Sequence, residues 1–269
     1  MGAIGHVIAR ALAGRADIVP IDRTSAPLRS DEKPVDAAVV CVKTPGTPWA
    51  AEVAQHIVAR DGVLLTIQNG LGNYEALVAA VGEARVAVGV IYVGARLDRG
   101  ELWATGPGRV ELGRPSGAGP HRALEVLAAQ LAEGGMTVNV VEDAWASVWR
   151  KVAVNAAMNP TTALLGYTND DLLADRAASR VADALAAEVA RVATATGVAL
   201  SQDEAQRAWR DIATLTGANR SSMLQDVLGG RVTEVDAING AVHREGERRG
   251  IAAPLNQAMT VLVGALAPA

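Results

Sequence analysis

Phenylalanine is absent from the 269 residues, and only five tryptophans and three tyrosines stand in for it. A core made from this chain has to be filled mainly by alanine, valine and leucine, and at 50% apolar residues there is enough of them. Cysteine is nearly absent: Cys41 is the single example, which excludes an internal disulfide and fits a reducing compartment. The four histidines, His6, His56, His121 and His243, are scattered without metal-ligand spacing, so no metal is expected. Lysine and arginine form no cluster and the net charge is −4, which argues against nucleic acid as a partner. No apolar run reaches the ~18 residues of a membrane helix, and no signal peptide leads the chain. A soluble, cytoplasmic protein of one large or two ordinary domains is the expectation.

What is present divides near residue 142. In the first half, Gly2-Ala3-Ile4-Gly5 opens an apolar helix. Its glycines match the second and third glycines of the dinucleotide fingerprint, whose backbone admits a pyrophosphate at a helix N-terminus. The first glycine and the strand before it are missing. Residues 17–21 read as a short strand ending in Asp22-Arg23, where a nucleotide-binding unit keeps its ribose-reading residue. An acid there suits the 2′-hydroxyl of NAD, an arginine the 2′-phosphate of NADP, and both stand side by side. Residues 36–43 read as a buried parallel strand with Lys43 at its carboxyl end. Residues 47–59 read as a helix and 63–67 as a second buried strand, ending in the polar, glycine-rich Gln68-Asn69-Gly70-Leu71-Gly72-Asn73. Strands follow over 86–96 and 101–112, the latter with a hairpin around 105–108, then a Gly/Pro-rich connection at 113–120, a helix over 121–133 and a last strand at 137–141. Alternating strands and helices imply a doubly wound, mostly parallel sheet.

From Asp143 onward the strand signals stop. Residues 172–198, 201–216, 222–228, 235–249 and 254–266 are helical by pattern, with Ser201 and Glu204 forming a capping box. The most informative stretch is W-R-K-V-A-V-N-A-A-M-N-P at 149–160, a helix expected to end near Pro160. Lys151, Asn155 and Asn159 are spaced i, i+4, i+8 and share one face. A cation and two carboxamides on an otherwise apolar helix need partners, because an unpaired buried polar group costs about 1–3 kcal/mol. Either solvent or a ligand supplies them. Asparagine is a poor helix former, so propensity does not account for the pair.

These pieces together resemble the ketopantoate reductase family, NADPH-dependent reductases of 2-oxo acids in pantothenate synthesis. The resemblance runs from Gly2 to the C-terminal helix. It is carried most specifically by residues 149–160, by S-S-M-L-Q-D at 221–226 and by T-E-V-D-A-I-N-G at 233–240, with V-K at 42–43 and N-G-L-G at 69–72 at the matching strand ends. It implies a Rossmann-like domain over 1–142 and an all-α substrate domain of the 6-phosphogluconate dehydrogenase type over 143–269. It also implies roles: Lys151 as general acid, assisted by Glu234; Asn69, Asn155, Asn159, Asn219 and Ser222 as substrate-binding groups; Gly2, Ala3, Ile4, Gly5, Arg23, Lys43 and Asn69 around the cofactor. Arg23 matches the 2′-phosphate partner and favours NADP.

The chain departs from the pattern in its cofactor half. The first strand and first glycine are absent, which leaves open a start placed too far downstream or a shortened form, and the interval from Arg23 to Lys43 is short. Three alternatives therefore stand beside the leading reading: a cofactor-deficient, non-catalytic homologue, a reductase of another 2-oxo acid, and a β-hydroxyacid dehydrogenase of the 6-phosphogluconate type, which the 221–226 and 233–240 motifs fit poorly. The apolar C-terminal helices offer a face for a second copy, and a homodimer is the oligomer they suggest.

Overall fold

The computed structural model describes residues 1–25, 33–115, 119 and 121–266. Within them the chain forms two compact units, one of Met1–Gln68 with Asn73–Ala144, the other of Asn69–Gly72 with Trp145–Ala269. The short loop after Gln68 is thus part of the second unit although its neighbours in sequence belong to the first.

The first unit contains α1 (Ala3–Leu12), β1 (Val35–Val40), α2 (Thr47–Ile57), β2 (Val58–Thr66), α3 (Asn73–Val81), β3 (Val86–Tyr92), β4 (Ala95–Asp98), β5 (Glu101–Ala104), β6 (Arg109–Gly113), α4 (Arg122–Glu133) and β7 (Thr137–Val141). Five strands form one sheet in the order β1-β2-β3-β6-β7, and β4 and β5 form a separate hairpin. Strands β1, β2 and β3 are parallel, with Val40 beside Thr66 and Thr66 beside Val88. Strand β6 runs antiparallel to β3, and β7 returns parallel to β6. Period-two alternation explains why the central strands are apolar throughout. Val63, Leu65 and Ile67 face a core that includes Val7, Ala11, Leu127 and Leu131 of α1 and α4, whereas Leu64 faces Ala50, Ala54, Leu77 and Val81 of α2 and α3. Helices on both faces make this the expected doubly wound, Rossmann-like unit.

Four sequence expectations need correction. Residues 17–21 form no strand, and Ile18 and Val19 are exposed. An extended segment is held only when its N–H and C=O groups join a ladder, and among the described residues β1 pairs with β2 alone. The hairpin turn lies at Arg99 and Gly100 rather than around 105–108. Both turn residues have positive φ, 49° and 87°, as the tight turn between twisted strands demands. The connection at 113–120 and the interval between Arg23 and Lys43 fall partly outside the described residues.

The second unit is helical: α5 (Ala144–Leu165), α6 (Asn169–Ala174), α7 (Arg176–Ala195), α8 (Gln202–Leu215), α9 (Ser222–Leu228), a π turn over Asp236–Gly240, α10 (Ala241–Arg249) and α11 (Pro254–Gly264). The central α7 fully buries Ala182, Leu185, Ala186, Val189, Ala190, Val192 and Ala193. Alanines on this face let neighbouring helices approach closely, which is how a chain without phenylalanine reaches a dense core. The helix expected over 172–198 is broken at Asp175, whose carboxylate caps α7 by accepting from the amides of Ala177 and Ala178. The capping box of Ser201 and Glu204 forms as expected.

The fourth correction is at Pro160, where α5 does not end but continues to Leu165. A proline normally breaks a helix because it gives no N–H to the carbonyl four residues back. Here that carbonyl belongs to Ala156, and the side-chain amide of Asn239 supplies the missing donor at 3.0 Å. The hydroxyls of Thr161 and Thr162 return to the carbonyls of Ala157 and Met158 at 2.9 and 2.8 Å, so the turn after the proline is also held.

Candidate active site

In the second unit, three of the expected site residues meet. Lys151 is half-buried on α5 between the buried Trp149, Val152, Ala153 and Val154. Burial pushes its ammonium down to about 8, while the Glu234 carboxylate pulls it in the opposite sense. Glu234 in turn accepts from the side-chain amide of Asn69 at 3.1 Å. Asn69 reaches this position because its loop is clamped to the π turn: the Leu71 amide donates to the Ala237 carbonyl at 2.9 Å. Gly70 has φ +83° and lies so close to that carbonyl that a Cβ would overlap it. The contact needs glycine for both reasons.

Asn155 and Asn159 follow Lys151 along the same face, the first half-buried and the second buried. Among the described residues neither carboxamide has a protein hydrogen-bond partner, so both can serve a ligand. Ser222 is exposed at the first position of α9. The capping work there is done by Ser221, which accepts from the Leu224 amide at 3.2 Å and, with the Thr162 proton spent on the Met158 carbonyl, donates its own to the Thr162 oxygen at 2.7 Å. That second bond ties the start of α9 to α5. Asn219 is exposed and uses its backbone, accepting from the Asn169 amide at 3.0 Å.

In the first unit, Gly2 precedes α1 and no side chain caps the helix, so the first-turn amides of Ala3, Ile4 and Gly5 are available to an anion. Gly5 is buried and packs toward Cys41, at the carboxyl end of β1. Burial pushes the Cys41 thiol up to about 12, which removes it as a nucleophile. Lys43 is exposed and leads into the single turn Thr44–Gly46, beside which the Arg23 guanidinium lies. Asp22 is held by its own turn. Its carboxylate accepts from the Thr24 hydroxyl and amide at 2.6 and 2.9 Å, and these bonds draw it down to about 2.

Several residues at these sites escaped the sequence reading. Gln68 donates to the Val42 carbonyl and to Thr47 at 2.9 and 2.8 Å, and Thr47 donates to Asn73 at 2.8 Å, joining the loops after β1 and β2. Asn239, Asn256 and Glu188 form a buried chain behind α5. Nothing in local periodicity distinguishes them from surface polar residues. The usable signal for Asn239 was Pro160, because a proline within a helix implies a donor elsewhere. No cluster of groups able to hold a metal occurs among the described residues, and no described helix is long and apolar enough to cross a membrane.

Comparison with known proteins identifies the family. The family model described as ketopantoate reductase PanE/ApbA matches residues 5–117, and the one for its C-terminal part matches 143–267. A 2-dehydropantoate 2-reductase of Halobacterium salinarum is 38% identical over 230 residues, covering 85% of this chain and 75% of its own. One from Archaeoglobus fulgidus is 35% identical over 235 residues, covering 87% and 77%. Among solved structures, 2-dehydropantoate 2-reductase from Geobacter metallireducens superposes with a TM-score of 0.86 at 26% identity, over 98% of this chain and 96% of that one. D-mandelate dehydrogenase, solved with NADH and anilino(oxo)acetate, superposes with a TM-score of 0.81 at 27% identity over 87% and 77%. With both halves matched and relatives above a third identical, the chain belongs to the ketopantoate reductase family of oxidoreductases.

Proposed function

We propose that this protein reduces a 2-oxo acid to the 2-hydroxy acid with NADPH, the substrate being 2-dehydropantoate and the product pantoate, a step of pantothenate biosynthesis. The observation that carries the reading is Lys151, held near neutral acidity on a helix face that also presents two uncommitted carboxamides. The names of the relatives support the substrate. The NADH in the D-mandelate dehydrogenase structure supports a nicotinamide cofactor. The residues fit such a cofactor: uncapped amides at α1 suit a pyrophosphate, and Arg23 beside Gly46 suits a 2′-phosphate. Because the Asp22 carboxylate is engaged by Thr24, Arg23 is the residue left to choose, which favours NADP.

When bound, the nicotinamide supplies hydride to the carbonyl carbon. Negative charge then grows on the carbonyl oxygen, and the Lys151 ammonium both stabilises it and delivers the proton. Glu234 favours the charged lysine and so keeps the acid loaded near neutral pH. Asn155 and Asn159 donate to the oxygens of the substrate, and Ser222, with Asn219 close in sequence, receives its carboxylate. Asn69 holds Glu234 through its amide. A second reading, reduction of a bulkier 2-oxo acid, is favoured by the likeness to D-mandelate dehydrogenase.

The test is NADPH consumption with ketopantoate, with phenylglyoxylate as the competing substrate, NADH as the competing cofactor and Lys151→Ala as control. Turnover with ketopantoate that falls by about 10²–10⁴ in the control is expected. Turnover with phenylglyoxylate alone would transfer the assignment to the second reading. Failure to bind either NADPH or NADH would overturn both.

A further inference from the structure

Within α5, Pro160 cannot donate to the carbonyl of Ala156. That carbonyl lies in the helix turn between Asn155 and Asn159, and Ala156 is fully buried, so water cannot satisfy it. Thr161 and Thr162 serve the neighbouring carbonyls and leave this one. The donor is Asn239, itself fully buried, whose amide nitrogen lies 3.0 Å from the Ala156 oxygen and 3.0 Å from the Asn256 side-chain oxygen. Asn256 passes the constraint on by donating to Glu188 at 2.9 Å. The Glu188 carboxylate also accepts the amides of Leu255 and Asn256 at 3.1 and 3.0 Å, anchoring the start of α11. The side-chain oxygen of Asn239 has no hydrogen-bond partner. The orientation of the amide is therefore set by its two donor bonds, and reversing it would lose both.

Asn239 sits in the π turn of Asp236–Gly240, directly after the segment that carries Glu234. The extra residue of a π turn displaces the chain locally and re-aims the side chains on it. The same turn receives the Asn69 loop through Ala237. One residue thus faces the helix of Lys151 on one side and belongs to the segment of Glu234 on the other. We propose that Asn239 is a positioning residue for the reduction: by giving Ala156 the hydrogen bond that Pro160 withholds, it fixes the register of Lys151, Asn155 and Asn159 against Glu234. The inference rests on the assignment of Lys151 as the acid.

The test is a cycle of Asn239→Ala, Pro160→Ala and the double variant, read by kcat, KM for the oxo acid and for NADPH, the pH profile and the melting temperature. Pro160→Ala returns a backbone N–H to the Ala156 carbonyl. In the wild-type background Asn239→Ala is expected to lower kcat by on the order of tenfold or more, with the KM for NADPH little changed. The alkaline limb of its pH profile should move to lower pH, because Glu234 then supports the lysine less well. In the Pro160→Ala background the same substitution should cost clearly less kcat and return the limb. Equal losses in both backgrounds would overturn the proposal, as would an unchanged kcat in folded Asn239→Ala. A melting temperature restored by Pro160→Ala without recovery of kcat would leave only a structural role and overturn it too. If Asn239→Ala does not fold, the double variant is compared with Pro160→Ala. Similar kcat values support the proposal, and a tenfold deficit or a double variant that also fails to fold overturns it. Turnover that survives Lys151→Ala would instead remove the acid assignment, whatever the cycle shows.

Discussion

Lys151 and Glu234 show how opposing influences set the acidity of a buried group. Burial alone would drive the lysine toward its neutral form, and the carboxylate restores part of the preference for charge. The result, about 8, keeps most of the group protonated at neutral pH and close enough to it for efficient proton transfer. With Lys151 as the proposed acid, reduction should therefore decline as pH rises through about 8. In Glu234→Gln the supporting charge is gone, so the limb should move to lower pH and activity at pH 7.5 should fall more than at pH 6. A pH series of kcat/KM on the two proteins measures this, and coincident limbs would mean the carboxylate does not act on the lysine. The residue scale was the best read from sequence: the spacing of Lys151, Asn155 and Asn159 requires only that the segment be helical, and it is.

At the scale of elements, the loop from Asn69 to Gly72 and the π turn behave as one device. The loop follows β2, yet belongs with the helical unit. Its attachment is made by backbone, from Leu71 to Ala237, with Gly70 pressed against the same carbonyl. Gly70→Ala should both strain a left-handed residue, at about 1–2 kcal/mol, and push the loop away from Ala237. A lowered melting temperature together with a reduced kcat is expected, since Asn69 would lose its hold on Glu234. A full melting-temperature loss with kcat intact would show that the loop contributes stability alone. From sequence, this loop could be read as a turn with a ligand-facing role, because Asn-Gly carries turn chemistry. Its attachment to residues more than a hundred positions away could not be read. The same limit explains the errors at 17–21 and 105–108: the first has β-like composition and the second turn chemistry, but a strand or a hairpin exists only where a partner strand lies alongside, and β5 pairs with β4 rather than with β6.

For the molecule as a whole, a lysine whose acidity is displaced by burial bears on stability. The folded Lys151 sits at about 8 against an ordinary 10.5. Between these values the unfolded chain binds the proton and the folded chain does not, so stability contributed by this site rises with pH across the window. Below about 8 both states are protonated, and the cost of burying the cation is then borne in full. Lys151→Met removes the titration while keeping an unbranched chain of similar length. Denaturant unfolding of the two proteins from pH 7 to 10.5 should show the wild type gaining on the variant as pH rises. Parallel curves would mean that the lysine is better solvated than its surroundings indicate. The site is in this sense held at some expense of stability, as groups with displaced acidity commonly are.

The sequence by itself determined what depends on neighbours along the chain. Periodicities of two and 3.6 separated an α/β half from a helical half, caps at Ser201 and the glycine-rich loops followed from local backbone chemistry, and helical spacing aligned Lys151 with two asparagines. Tertiary structure decided the rest. Whether residues 17–21 became a strand, whether α5 stopped at Pro160 and which carboxylate met Lys151 all depended on groups distant in sequence. The physical reason is that a backbone amide or carbonyl must find a partner wherever it is buried. Local sequence reveals when a partner is missing, as Pro160 does for Ala156, but only the folded chain shows that Asn239 provides it.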